Sequence, residues 1–101
     1  MEHILCRAED VSDDEPLRVT LADGHAVTVY RWEDNFYCTD DLCTHGDASL
    51  AEGYVEDGAI ICPFHLGSFC IKSGAPRAAP CSEPIAVYEV NERDGNLLIQ
   101  R

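Results

Sequence analysis

Two short stretches, Cys43-Thr44-His45-Gly46 and Cys62-Pro63-Phe64-His65, decide how this chain of 101 residues is arranged. Each stretch follows a run of β type and offers one thiolate and one imidazole. Sixteen residues separate His45 from Cys62. Two cysteines and two histidines can bind one zinc ion in a tetrahedral site, or they can divide between the two irons of a [2Fe–2S] cluster. The choice between these two sites decides the function.

The spacing within the first stretch argues against zinc. Structural zinc sites usually take pairs of ligands with about two to four residues between them, whereas one residue separates Cys43 from His45. In an extended segment, side chains two positions apart point to the same side, several ångströms from each other, which suits two neighbouring irons better than one ion. The all-cysteine pattern C-x4-C-x2-C also fails, because Cys38 and Cys43 fit it but its third cysteine falls on Gly46. A zinc-binding interaction module remains a remote alternative.

Outside the two stretches the pattern is β throughout. Three Asp-Gly pairs, beginning at Asp23, Asp57 and Asp94, each separate two strand-like runs and predict hairpins. One helical turn is expected near residues 48–52, and the proline-containing segment 74–80 predicts an irregular loop. The predicted strands are residues 17–21, 26–30, 36–39, 54–56, 59–61, 68–71, 85–90 and 96–100.

We therefore expect one all-β domain over residues 1–101, an antiparallel sandwich or barrel. A metal-binding lobe of about residues 43–80 would be inserted between base sheets formed by residues of about 1–42 and 81–101. The chain has neither an export signal at its start nor an apolar run long enough to cross a bilayer, so we expect a soluble cytoplasmic protein. Monomer is the expected oligomeric state.

The other four cysteines and two histidines are expected to lie outside the metal site. In a reducing cytosol, six cysteines favour thiols and metal ligands over disulfides. Cys6, Cys38, Cys70 and Cys81 lie in or beside strand-like runs, and we expect small buried hydrophobic residues there. His3 and His25 are expected to be exposed.

The formal net charge of −12 is concentrated in the first half of the chain. Residues 1–58 hold 15 of the 19 acidic residues and three arginines, whereas residues 59–101 hold four acids and four bases. Such a surface disfavours nucleic acid and anionic membranes as partners, and it would steer a basic protein partner toward the chain at low salt. A solvated acidic surface that serves solubility alone is the equally weighted alternative.

The pattern Cys-x-His, a gap of sixteen residues and Cys-x2-His resembles that of the Rieske proteins. The resemblance extends through Gly67-Ser68-Phe69, Ser73-Gly74 and the proline-containing loop, and so covers essentially the whole chain. It implies a fold of three antiparallel β-sheets. It also implies one [2Fe–2S] cluster with the ligands Cys43 and Cys62 on one iron and His45 and His65 on the other, near the surface.

Two departures from the cytochrome bc-type Rieske proteins indicate the branch. Those proteins carry an extra cysteine in each metal loop, where this chain has Ala48, or its neighbours Gly46 and Asp47, and Phe64. Their second histidine is followed directly by Gly-Ser, whereas Leu66 intervenes here. The chain looks like the Rieske ferredoxins of bacterial aromatic-ring-hydroxylating dioxygenase systems, which carry electrons from a flavoprotein ferredoxin reductase to a terminal oxygenase. A nitrite-reductase small-subunit-like protein, or another Rieske electron-transfer subunit, is the alternative.

The implied ligand set predicts a one-electron carrier rather than an enzyme. Two ferric ions, two sulfides and two thiolates sum to zero charge with neutral imidazoles, so the first electron enters an uncharged centre. Reduction is therefore easier than in an all-thiolate cluster, and the potential moves from roughly −400 mV into a window of roughly −150 to +300 mV. Without the extra cysteines and with the shifted serine, we expect the low end of this window. The chain lacks dinucleotide, phosphate and flavin motifs. Around His45 and His65, Phe64, Leu66 and Pro80 would form an apolar rim for transient docking.

Overall fold

Eleven short strands and the segments that join them make up the computed structural model, which describes residues 2–13, 15–43, 48–63, 67–79 and 81–101. Two 3-10 turns, Ala8–Asp10 and Leu50–Glu52, are the helical elements of these residues, and neither could cross a bilayer. The strands are β1 (Glu2–Arg7), β2 (Leu17–Thr20), β3 (Ala26–Trp32), β4 (Asn35–Asp40), β5 (Tyr54–Glu56), β6 (Ala59–Ile61), β7 (Ser68–Cys70), β8 (Pro76–Ala78), β9 (Val87–Tyr88), β10 (Asn91–Arg93) and β11 (Asn96–Gln100).

Within the described residues these strands form three antiparallel sheets. Their orders are β1-β11-β10, β2-β3-β4-β9 and β5-β6-β7-β8. The first two sheets combine strands from both ends of the chain, whereas the third is a meander of residues 54–78. The predicted all-β class with three antiparallel sheets is confirmed.

Tight turns set the register of the hairpins. Asp57 and Gly58 both have positive φ, of 50° and 73°, as a two-residue turn between β5 and β6 requires. The β3–β4 turn uses the same conformation without glycine, at Glu33 (φ 51°) and Asp34 (φ 63°). The hairpins predicted around Asp23-Gly24 and Asp57-Gly58 are confirmed.

Strand β3 lies between two hydrophobic cores, because its side chains alternate between two covered faces. Val27 and Val29 point into a core that they share with Leu5, Leu97 and other residues of the base sheets. Tyr30 points into the second core, which contains Cys43, Cys62 and Phe69 among other residues. Because apolar residues fill one face of β3 while Thr28 and Tyr30 occupy the other, this strand joins the base sheets to the region of the two cysteines.

The predicted closing hairpin is wrong in its first strand. The Asp94-Gly95 turn pairs Arg93 with Asn96, so that β10, and not residues 85–90, is the partner of β11. The chain has already left the other sheet by that point, because Val87 and Tyr88 pair with β4. The apolar alternation of residues 85–90 therefore reflects contact with a different sheet from the one expected.

Two further elements differ from the prediction. Residues 76–78 of the segment expected to be an irregular loop form β8, which tolerates Pro76 because it is an edge strand that begins at this residue. At the start of the chain, β1 pairs with β11 through a register shift between Ile4 and Cys6. This pairing turns His3 inward, and the histidine expected to be exposed is buried.

Candidate functional site

Each of the two cysteines Cys43 and Cys62 ends a hairpin in the same way. The amide of Cys43 donates to the carbonyl of Ala48 at 2.9 Å, and the amide of Cys62 donates to the carbonyl of Gly67 at 2.7 Å. Each cysteine amide is thus hydrogen-bonded to the carbonyl of the residue five positions later. Residues 44–47 and 64–66, which include His45 and His65, lie outside the described residues, as do Phe64, Leu66 and Pro80 of the expected apolar rim.

The two cysteine side chains come together in one core. Cys43 is 2% exposed and Cys62 is fully buried, and both belong to the hydrophobic cluster that also contains Leu50, Ile60 and Phe69. Cys43 follows the end of β4 after Asp41 and Leu42, and Cys62 directly follows Ile61, the last residue of β6. The cysteines of the two sequence stretches therefore lie together in one core.

Asp41 stabilises the base of the hairpin that contains Cys43, a role that the sequence did not predict. Its carboxylate is buried, and its Oδ1 accepts hydrogen bonds from the hydroxyls of Thr28 and Ser49, both at 2.7 Å. The Nε of Arg18 lies 3.4 Å from Oδ2. The carbonyl of Asp41 accepts a hydrogen bond from the amide of Leu50 at 2.8 Å. One carboxylate therefore ties both sides of the Cys43 hairpin to β3, and an acid directly after a strand was the available signal.

Cys81 is buried, as expected, and it lies close to the candidate site. It is 5% exposed in the same core as Cys43 and Cys62. Burial raises the pKa of the Cys81 thiol. No spacing in the sequence signals this position, because the fold alone brings Cys81 into the same core as residues far from it in the chain.

The other cysteines and His25 lie apart from this group. Burial raises the pKa of Cys38, which lies in the other core, to about 12, so that this thiol behaves as the small hydrophobic residue expected. Cys6 and Cys70 are only partly buried, contrary to expectation. Ser73 hydrogen-bonds to the Cys70 thiol and lowers its pKa. His25, which was expected to be exposed, is half-buried, and its Nε2 lies 2.6 Å from Oδ1 of Asp40.

The chemistry of this donor set fits an iron–sulfur cluster. Two thiols that are screened from water, at equivalent ends of two hairpins, are suited to bind iron as thiolates. In the sequence, His45 follows Cys43 by two positions and His65 follows Cys62 by three.

Comparison with known proteins agrees with this chemistry. Residues 1–89 match the family model of the Rieske [2Fe–2S] domain. The ferredoxin subunit of anthranilate 1,2-dioxygenase from Burkholderia cepacia is 41% identical over 95 residues, which cover 94% of this chain and 87% of the relative.

Two solved structures are similar over nearly the whole chain. A ferredoxin of Sphingomonas yanoikuyae B1 has a TM-score of 0.94 at 43% identity, covering 97% of this chain and 96% of that one. A chain in the complex of reduced oxygenase and oxidized ferredoxin of carbazole 1,9a-dioxygenase has a TM-score of 0.90 at 39% identity, with coverages of 97% and 91%.

More distant structures share the fold alone. The small subunit of a nitrite reductase has a TM-score of 0.85 at 20% identity, covering 100% of this chain and 99% of that one. The family match sets the zinc alternative aside, since the cofactor of this domain is one Rieske-type [2Fe–2S] cluster. The chain belongs to the Rieske [2Fe–2S] family, among the ferredoxins related to those of aromatic dioxygenase systems.

Proposed function

We propose that this protein is a one-electron carrier of low potential that passes electrons from a flavoprotein ferredoxin reductase to a terminal ring-hydroxylating oxygenase. Cys43 and Cys62 bind one iron of the cluster, and His45 and His65 bind the other. The single observation that carries the proposal is the meeting of two buried cysteines, each at the paired end of a hairpin. The protein is not catalytic alone, and we place it in the cytoplasm as a monomer.

The proposed division of the chain follows from the same observation. The cluster-binding lobe comprises about residues 43–80, and the base comprises about residues 1–42 and 81–101. The meander β5-β6-β7-β8 supports this division, because it is built from one continuous part of the chain. Cys81 and Ile85, just beyond the boundary, pack into the core of the lobe and connect it to the base.

The cluster, when bound, accepts and releases one electron, and the residues of this chain determine where and how easily this happens. Cys43 and Cys62 are buried, so the protein covers the thiolate side of the site and keeps water from it. The electron is proposed to enter and leave through the imidazoles of His45 and His65. With no cysteine available for a disulfide between the tips, we propose a potential near the low end of the window, roughly −150 mV.

The surface beside the first tip supports docking. Leu42 directly precedes Cys43, and its side chain is 56% exposed although it is apolar. An exposed apolar residue beside a redox centre is suited to a transient contact with a partner, which buries a small area. The acidic first half of the chain adds steering toward a basic face of that partner.

The first experiment is metal analysis and EPR spectroscopy of the protein purified without oxygen. Two irons and two acid-labile sulfides per chain are expected, with a rhombic signal after reduction whose average g value lies below that of the free electron. Cys43→Ser and Cys62→Ser should lose the cluster, whereas Cys38→Ser is the matched control and should retain it. One zinc without sulfide, or a cluster that survives both ligand substitutions, would contradict the proposal.

The second experiment tests the partners. The reduced protein is mixed with the oxygenase of the carbazole dioxygenase system, and reoxidation is followed by absorbance. Reoxidation that is coupled to hydroxylated product, with NADH and a ferredoxin reductase closing the cycle, is expected. Reoxidation by a nitrite reductase catalytic subunit but not by any ring-hydroxylating oxygenase would favour the alternative assignment.

A further inference from the structure

Asp41 places a carboxylate on the same covered face as the first candidate ligand. Asp41 and Cys43 are 3% and 2% exposed, whereas Leu42 between them is 56% exposed. This alternation is that of an extended segment, in which side chains two positions apart point to the same side. Because two residues of extended backbone span at most about 7 Å, the acid lies close to the ligand.

Hydrogen bonds fix the carboxylate at the base of the hairpin that contains Cys43. Its Oδ1 accepts from the hydroxyls of Thr28 and Ser49, both at 2.7 Å. Ser49 also forms an isolated β-bridge with Leu42, the residue just before Cys43. The position of the carboxylate relative to Cys43 is therefore set by both sides of the hairpin and by β3.

Arg18 is the cationic partner of this carboxylate, but its own side chain faces water. The Nε of Arg18 lies 3.4 Å from Oδ2 of Asp41, and the side chain of Arg18 is 59% exposed. Water and salt screen an exposed charge far more than a buried one. The guanidinium thus offsets only part of the field of the carboxylate, and a negative field remains at the ligand.

We propose that the buried charge of Asp41 lowers the reduction potential of the cluster bound by Cys43, and that Arg18 partly offsets this effect. The inference rests on the ligand assignment of the proposed function. Reduction adds one negative charge to the centre, so a fixed negative charge nearby disfavours the reduced state. Asp41 therefore contributes to a low potential in addition to the absence of the extra loop cysteines.

The test is the midpoint potential of the loaded protein, measured by redox titration of the wild type and of charge variants. Asp41→Asn should favour reduction about tenfold more than the wild type does, which is about 59 mV for one electron. Arg18→Gln should shift the potential in the opposite direction, by about threefold, because its charge is screened. Glu92→Gln, which removes an exposed charge from β10, is the matched control and should leave the potential unchanged.

A second comparison separates the charge of Asp41 from its structural role. Thr28→Val removes one hydrogen bond to the carboxylate but keeps the charge, so it should not raise the potential. In roughly 1 M salt the shift of Asp41→Asn should persist, whereas that of Arg18→Gln should shrink.

Several outcomes would overturn the inference. One is an unchanged or lowered potential in Asp41→Asn with full iron and sulfide content. Another is a potential raised equally by Thr28→Val, because the loosened hairpin and not the charge would then be the cause. If Asp41→Asn does not retain its cluster, Arg18→Gln decides the matter, and an unchanged potential at low salt counts against the inference. If the wild type contains no Rieske cluster, the proposed function fails instead, which keeps the two failures distinct.

Discussion

Replacing Asp41 should loosen the first hairpin more than any exposed acidic substitution. The carboxylate is 3% exposed and accepts hydrogen bonds from Thr28 and Ser49 through one oxygen while the other faces Arg18. A hydrogen bond to a charged group contributes about 1.5–3 kcal/mol, and this carboxylate accepts two of them from hydroxyls, whereas its contact with the 59% exposed Arg18 adds little. We therefore expect Asp41→Ala to lower the free energy of unfolding by about 3–5 kcal/mol, out of a typical total of about 5–15 kcal/mol.

Asp41→Asn tests the two carboxylate oxygens separately, because it keeps one oxygen and replaces the other by an amide nitrogen. The amide oxygen can still accept from both hydroxyls, whereas the amide nitrogen faces the guanidinium of Arg18, so we expect a loss of about 1–2 kcal/mol. Urea denaturation, followed by circular dichroism and by cluster absorbance, measures both losses. Glu92→Ala, at an exposed position of β10, is the control. If Asp41→Ala unfolds within about 0.5 kcal/mol of this control, the role assigned to the carboxylate is wrong.

Three further predictions concern other parts of the molecule. Leu42→Ser should raise the KM of the oxygenase for this protein about tenfold, because an exposed apolar contact is lost. Ile4→Ser, at another exposed apolar residue in β1, should leave the KM unchanged, and equal effects of the two substitutions would refute docking at Leu42. Burial raises the pKa of Cys38 from 9.0 to about 12, so the stability that its neutral thiol contributes is complete below pH 9.0 and is lost as the pH rises toward 12. The free energy of unfolding should fall by at most about 1.4 kcal/mol per pH unit in this range. Denaturation of Cys38→Ala should lack this part of the alkaline slope, and a slope identical to that of the wild type would contradict the prediction. Replacing Glu33-Asp34 by Asn-Gly should raise Tm by roughly 4–8 °C, because both residues have positive φ; a lower Tm would count against the turn conformation.

Local patterns in the sequence predicted most of the strands. The Asp57-Gly58 hairpin follows from turn chemistry and from the alternation of the flanking residues, which are properties of adjacent residues. The pairing of β1 with β11 joins the two ends of the chain, and no local pattern encodes it. The assignment of residues 85–90 failed for the same reason, since apolar alternation indicates a covered face but does not indicate which sheet covers it.

The candidate site divides in a similar way. The motif predicted Cys43 and Cys62 as ligands, because ligand chemistry restricts residue types and spacing. Asp41 was not found, because its role depends on contacts with Thr28 and Ser49 that only the folded chain creates. Residues that support a site through long-range contacts leave no pattern of their own in the sequence.

The most direct test of the account is electron–nuclear double resonance of the reduced protein, grown with ¹⁵N-labelled histidine. Binding of one iron by His45 and His65 predicts two strongly coupled imidazole nitrogens, and His25→Ala should leave both couplings unchanged because His25 is bonded to Asp40 instead. His65→Cys should remove one coupling or lose the cluster. A reduced cluster that shows no coupled histidine nitrogen would contradict the central claim.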